Sequence, residues 1–178
     1  LRALVLPMIT VNLALELGGA LPGYDVAGVV RRHLREVMDV FVDREAGLIF
    51  EHVAPDGSHP DTFDGRLINP GHGIEAMWFV MAAAAQYGET DLIPRAADAL
   101  EAQLAFGWDE AYGGIYYFLD ALGKPPQQLE WDQKLWWVHI ETLIALLLGY
   151  RLTGRDSLAR WYDRVHAYTW ARFPDPDY

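Results

Sequence analysis

The stretch Val42-Asp43-Arg44-Glu45-Ala46-Gly47-Leu48-Ile49-Phe50 returns as Trp108-Asp109-Glu110-Ala111-Tyr112-Gly113-Gly114-Ile115-Tyr116, and its opening returns once more in Pro174-Asp175-Pro176-Asp177-Tyr178. Asp43, Asp109 and Asp175 stand 66 residues apart each time, and Ile74-Glu75 recurs as Ile140-Glu141 at the same offset. Several matches at one offset mark a repeated structural unit. Between these turn-rich stretches apolar residues recur at helical spacing, as in Val29, Leu34, Val37, Met38 and Phe41. Helices are expected over 2–17, 25–42, 70–87, 91–106, 132–153 and 155–172. Asn69-Pro70 is a start signal, with Asn as cap and Pro in the first helical position, and Gly88 and Gly154 are stop signals. The connectors Gly47–Gly65 and Gly113–Gln128 carry short aromatic or β-branched runs followed by Gly and Pro, the pattern of small β-hairpins over one end of the helices. Six helices then pair into three antiparallel hairpins. Such hairpins stack either into an open solenoid or into a closed α/α toroid, and closure with six units of this length needs roughly 400 residues.

Composition sets limits on function. The chain has 178 residues, enough for one domain with a substantial core, and no linker or second domain is visible. An apolar share of 52% and an aromatic share of 13% exclude intrinsic disorder. Twenty-five acidic against fourteen basic residues give a net charge of -11, which argues against a nucleic-acid partner and against a polybasic membrane anchor. With no cysteine there is no disulfide framework, thiolate zinc site or cysteine nucleophile. The longest apolar run, Ala76 to Ala85, falls short of the roughly 20 residues a membrane-spanning helix needs. The apolar N-terminal segment has an early Arg and no clean cleavage site, so it reads as a core helix rather than a signal peptide, and the expectation is a cytoplasmic protein. A start at Leu1 and an end in Pro-Asp-Pro-Asp-Tyr make 1–178 read as the central part of a longer single domain, cut at both ends.

Two stretches carry chemistry. In Asn69-Pro70-Gly71-His72-Gly73-Ile74-Glu75 the cap puts His72 in the first helical turn, where the positive dipole end favours the neutral imidazole that a base requires. Glu75, at i+3, pushes the other way by favouring imidazolium, so His72 is a candidate acid or base, its bland alternative being a histidine that only packs at a helix start. In Glu130-Trp131-Asp132-Gln133-Lys134-Leu135-Trp136-Trp137-Val138-His139-Ile140-Glu141, Trp137 and Glu141 share a helix face. A Glu on a helix that otherwise reads as buried needs a partner or a function; a structural contact with Lys134 or His139 is the bland alternative. Because Glu75 and Glu141 are repeat-equivalent, both are expected to point to one pocket. Metal ligation by His72, Glu75, His139 and Glu141 is the weaker reading, since neither HxxE nor HxE is a strong metal spacing. His33 reads as solvent-facing, His52, His59 and His166 lack any supporting constellation, and no phosphate loop or dinucleotide fingerprint is present, so neither metal nor cofactor is signalled.

The strings INPGHGIEAMWF (68–79), GGIYYFLDALGKP (113–125) and QLEWDQKLWWVHIETLIALLLGYRLTG (128–154) resemble the N-acylglucosamine 2-epimerase family, in the expected order and over most of the chain. The resemblance implies an (α/α)6 barrel, of which these residues make a partial barrel of about three hairpins. It implies interconversion of N-acetylglucosamine and N-acetylmannosamine through an open-chain enediol, with one histidine removing the C2 proton and a second returning it from the opposite face. On that resemblance His72 is the first histidine, Glu75 and Glu141 are pocket carboxylates, and Trp137 is a sugar platform. His139 stands where the N-acyl branch has His and the cellobiose branch Gln, and Lys134 and Trp131 join the substrate contacts; Trp78 and Trp161 read as core. The second histidine and a pocket arginine belong to family segments without counterpart here. A homodimer of the full-length protein is expected, no cofactor is expected, and some family members respond to nucleotides. The alternatives are aldose–ketose isomerisation, epimerisation of cellobiose or mannose, a glycoside hydrolase built on Glu75 and Glu141, and a non-catalytic protein-binding role.

Overall fold

The side chain of Asn69 accepts a hydrogen bond from the His72 backbone N–H at 3.1 Å, and Pro70 occupies the first helical position, where no N–H is needed. That cap starts α3 (Pro70–Tyr87), which ends on Gly88 at φ 80°. Sixty-six residues on, α5 (Trp136–Thr153) ends on Gly154 at φ 68°; left-handed backbone of this kind suits a residue without Cβ. The computed structural model describes residues 1–175 and shows four further helices there: α1 (Val5–Leu17), α2 (Val26–Glu36, continued by a π-helical turn Val37–Phe41), α4 (Leu92–Gly107) and α6 (Asp156–Arg172). Each odd-numbered helix packs on the even-numbered one that follows it, and α3 also contacts both α1 and α5. The result is a two-layered arc of three hairpins, with α1, α3 and α5 side by side in one layer.

The α3–α4 hairpin is the centre of the core. Ile74, Met77, Val80, Met81 and Ala84 of α3, and Leu92, Ala96, Leu100 and Leu104 of α4, recur at helical spacing and are fully buried. Burying each of the larger of these side chains is worth about 1.5–3 kcal/mol.

The repeat is a repeat of hydrogen bonds. Asp43 Oδ1 accepts from the N–H groups of Glu45 and Ala46, and Asp109 Oδ1 accepts from those of Ala111 and Tyr112. One-residue β-bridges, Val42 to Ile49 and Trp108 to Ile115, close the two turns in the same way. Of the third copy, residues 176–178 lie outside the described residues. The strands are two residues long and do not form hairpins inside the connectors; each connector strand pairs instead with the strand that precedes its own unit's first helix, β2 (His52–Val53) with β1 (Arg2–Ala3), and β4 (Leu119–Asp120) with β3 (Leu67–Ile68). Their registers, Arg2 opposite Val53 and Ile68 opposite Leu119, also differ by 66.

Two helix starts differ from expectation, each because a backbone group is engaged elsewhere. Residues 2 and 3 pair with β2, and the Leu4 N–H donates to the Glu51 carbonyl, so α1 begins at Val5 instead of residue 2. The Trp131 carbonyl accepts from both Tyr117 and Phe118 N–H, and Lys134 is held outside the helix by Asp109, so α5 begins at Trp136 instead of 132.

Candidate active site

Where the first turns of α3 and α5 meet, four of the expected side chains come together. His72 and Trp137 lie with ring centroids 5.7 Å apart, tilted 37°. Trp137 sits this close because residue 71 is glycine; a Cβ there would come within 2.7 Å of the indole. Glu75 lies one turn beyond His72, and the charge of Glu141 on α5 acts on it. Glu141 is held by Trp78, whose indole N–H donates to its Oε2 at 2.7 Å. Trp78, read from sequence as core alone, therefore also anchors a site carboxylate.

A fifth group was missed. Glu51, in the connector before β2, places Oε1 3.0 Å from His72 Nδ1. Its only sequence signal is a carboxylate one residue beyond the repeated turn; its repeat-equivalent is Tyr117, so the offset itself gives no hint of an acid. Burial lowers the His72 pKa, but the hydrogen bond to Glu51 and the charges of Glu51 and Glu75 outweigh it, and the net shift is upward. Burial, with the charges of Glu141 and Glu51 behind it, also raises Glu75 above the ordinary carboxylate range, against the opposing pull of His72. The site is an imidazole among three carboxylates, one of which holds a proton more readily than usual.

The raised Glu75 pKa has a stability consequence. A carboxyl that binds its proton more tightly in the folded state than in the unfolded one loses folding stability as pH rises through that range. Glu75→Gln is expected to raise Tm at about pH 8, and by much less in acid, as read by thermal melts at both pH values.

His139 is a correction. Its side chain is fully buried, Nε2 accepts from the Ile115 N–H at 3.1 Å, Nδ1 donates to the Leu135 carbonyl at 2.7 Å, and the ring stacks on Tyr168 of α6. It braces the second repeated turn against α5 and α6 and offers no nitrogen to a sugar. Burial drives its pKa down to about 4. Because the unfolded state takes up this proton first, stability is expected to fall as pH drops from the ordinary 6.5 towards 4. Substituting His139→Gln should flatten that slope in pH-dependent denaturant melts.

Lys134 and Trp131 are engaged around Tyr116. Lys134 Nζ bonds Asp109 Oδ2 at 3.1 Å and lies 3.7 Å from the Tyr116 ring centroid. Trp131 packs on Tyr116, and together these residues line a cleft of about 390 Å³. The hydrogen bonds of Lys134 and His139 go to groups other than Glu141. Trp161 packs against the core beside Trp108. Among the described residues no group of three or more His, Asp and Glu side chains is arranged to hold a metal ion, and no helix is long and apolar enough to cross a membrane.

Comparison with known proteins identifies the family. The family model described as N-acylglucosamine 2-epimerase (GlcNAc 2-epimerase) matches residues 24–178. The chain is 38% identical to N-acylglucosamine 2-epimerase of Bos taurus, with 99% of this chain and 42% of that protein aligned. It is 37% identical to N-acylglucosamine 2-epimerase of Homo sapiens, with 98% and 42% aligned. It thus spans less than half the length of these relatives. Among solved structures, that of a D-mannose isomerase superposes with a TM-score of 0.79 at 17% identity, over 98% of this chain and 44% of the other. The likeness shows the all-α (α/α)6 toroid, of which these three hairpins form a part.

Proposed function

Since the chain belongs to the N-acylglucosamine 2-epimerase family, we propose that it carries one half of the proton-transfer machinery of a sugar 2-epimerase acting on N-acetylglucosamine and N-acetylmannosamine. The observation behind this reading is the placement of His72, Glu75, Glu141 and Trp137 in one site at the ends of two inner-layer helices. In the open-chain aldose the C2–H bond is weakly acidic. His72 takes that proton, the C2–H bonding pair forms a C1–C2 double bond as the carbonyl pair moves onto O1 to give an enolate, and collapse of the enolate with a proton delivered to C2 from the other face gives the epimer. Glu75, one turn beyond His72, supplies negative charge that favours the imidazolium formed when the C2 proton is taken. Trp137 presents an apolar face to the sugar, and Trp78 keeps Glu141 aimed at the hydroxyls. We assign the opposite-face donor to a residue outside these 178. The chemistry is proton transfer alone and calls on no redox cofactor. We place the protein in the cytoplasm, as a homodimer when full-length, with a small sugar as its partner.

Product analysis of the full-length protein tests this reading. N-acetylmannosamine is expected to yield N-acetylglucosamine. A ketose from mannose, with no epimer from the N-acyl sugar, would instead make it an aldose–ketose isomerase.

A further inference from the structure

We propose that Glu51 is a positioning residue for His72: its carboxylate keeps the proton of the neutral ring on Nδ1 and so leaves Nε2 as the atom that takes the C2 proton. The inference rests on the epimerase reading for its catalytic part, but the pairing is independent of it. An ionised carboxylate can only accept, so at 3.0 Å from Glu51 Oε1 the Nδ1 atom must be the donor. A neutral imidazole has one N–H, and with that proton on Nδ1 the Nε2 lone pair is free. Glu51 is itself fixed. Its carbonyl accepts from the Leu4 N–H at 2.9 Å, and its own N–H donates to the Leu67 carbonyl at 3.1 Å, so the segments bearing β1 and β3 clamp it from both sides. Its side chain is 13% exposed. The other groups facing His72 are Glu75 on its own helix, Trp137 from α5 and, beyond Glu75, Glu141. Nδ1 bonds Glu51 and none of these groups, so it is Glu51 that fixes the tautomer. The upward shift of the His72 pKa agrees with this placement.

The test is a histidine ¹⁵N NMR titration of the full chain, joined to pH–rate profiles of the full-length enzyme. Above its pKa, wild-type His72 is expected to carry its proton on Nδ1. Glu51→Gln keeps an acceptor but loses the charge, so the His72 titration should move down by about one pH unit. The acid limb of kcat should move down with it, because the base then stays unprotonated to lower pH, while KM stays within about twofold. Glu51→Ala removes charge and acceptor together; it should mix the tautomers and lower kcat on the order of 100-fold. A neutral wild-type ring protonated on Nε2, or an unmoved His72 titration in Glu51→Gln, would overturn the proposal, and the wild-type measurement holds even if a variant folds poorly. A wild type with the Nδ1 proton in place but no epimerisation of any sugar would sink the epimerase reading and with it the catalytic role, leaving the pairing measured.

Discussion

His72→Gln in the full-length protein is expected to lower kcat for N-acetylmannosamine epimerisation by about a thousandfold, with a Tm close to wild type. The size of the loss follows from what the residue does. A positioned general base contributes roughly 10²–10⁴-fold, and a glutamine amide in its place cannot take up a proton at all. The intact fold follows from how the residue is held. The cap bond from His72 to Asn69 uses the backbone N–H, which the substitution keeps, and a glutamine amide can still donate to Glu51. Steady-state kinetics and a thermal melt on the same preparation check both halves. Retained activity in this variant would remove His72 from the chemistry and favour a packing role.

The largest effect on stability is expected at Arg66, which no motif singles out. Its side chain is 10% exposed and that of Asp120 is 3% exposed, and Nε donates to Asp120 Oδ2 at 2.8 Å while the guanidinium also bonds Asp61. Burial favours the neutral form of Asp120, but the Arg66 bond and the Leu122 and Lys124 N–H groups outweigh it and hold its pKa below the ordinary value. Arg66→Ala would leave the Asp120 carboxylate short of its cation and is expected to lower Tm by several degrees, as read by a thermal melt. The sign of its pH dependence is fixed. A carboxyl with a depressed folded pKa contributes stability above its unfolded value and loses it as pH falls through the folded one, so the penalty should fade in acid. The pair also ties β3 to β4, and β3 supplies the carbonyl that holds the Glu51 N–H. A smaller loss of kcat should therefore accompany the loss of stability.

The contrast between these two residues shows what the sequence made legible. The repeat could be read because the fold reuses short-range bonds at a fixed offset. Asp43 and Asp109 cap their turns identically, and Asn69-Pro70 starts a helix by local chemistry alone. Glu75 and Glu141 followed from the same offset. Glu51 and Arg66 could not be found in that way, because they act across 21 and 54 residues of chain respectively, from stretches without helical periodicity, and their repeat-equivalents Tyr117 and Asp132 are of other residue types. His139 was misplaced although a signal was available. It lies two residues from Trp137, and positions i and i+2 on a helix point to different sides. The face shared by Trp137 and Glu141 meets α3, while the His139 ring meets Tyr168 of α6. Lys134 and Trp131 precede the helix altogether, where helical phase gives no guide to direction.

The central claim is that this site moves the hydrogen at C2 of an aldose. Incubating the full-length protein with N-acetylglucosamine in deuterium oxide, and following the C2 position by NMR, tests it most directly. The account predicts deuterium at C2 of both epimers with wild-type protein and none above background with His72→Gln. Epimers formed with the C2 hydrogen retained, or equal deuterium uptake with the His72 variant, would contradict it.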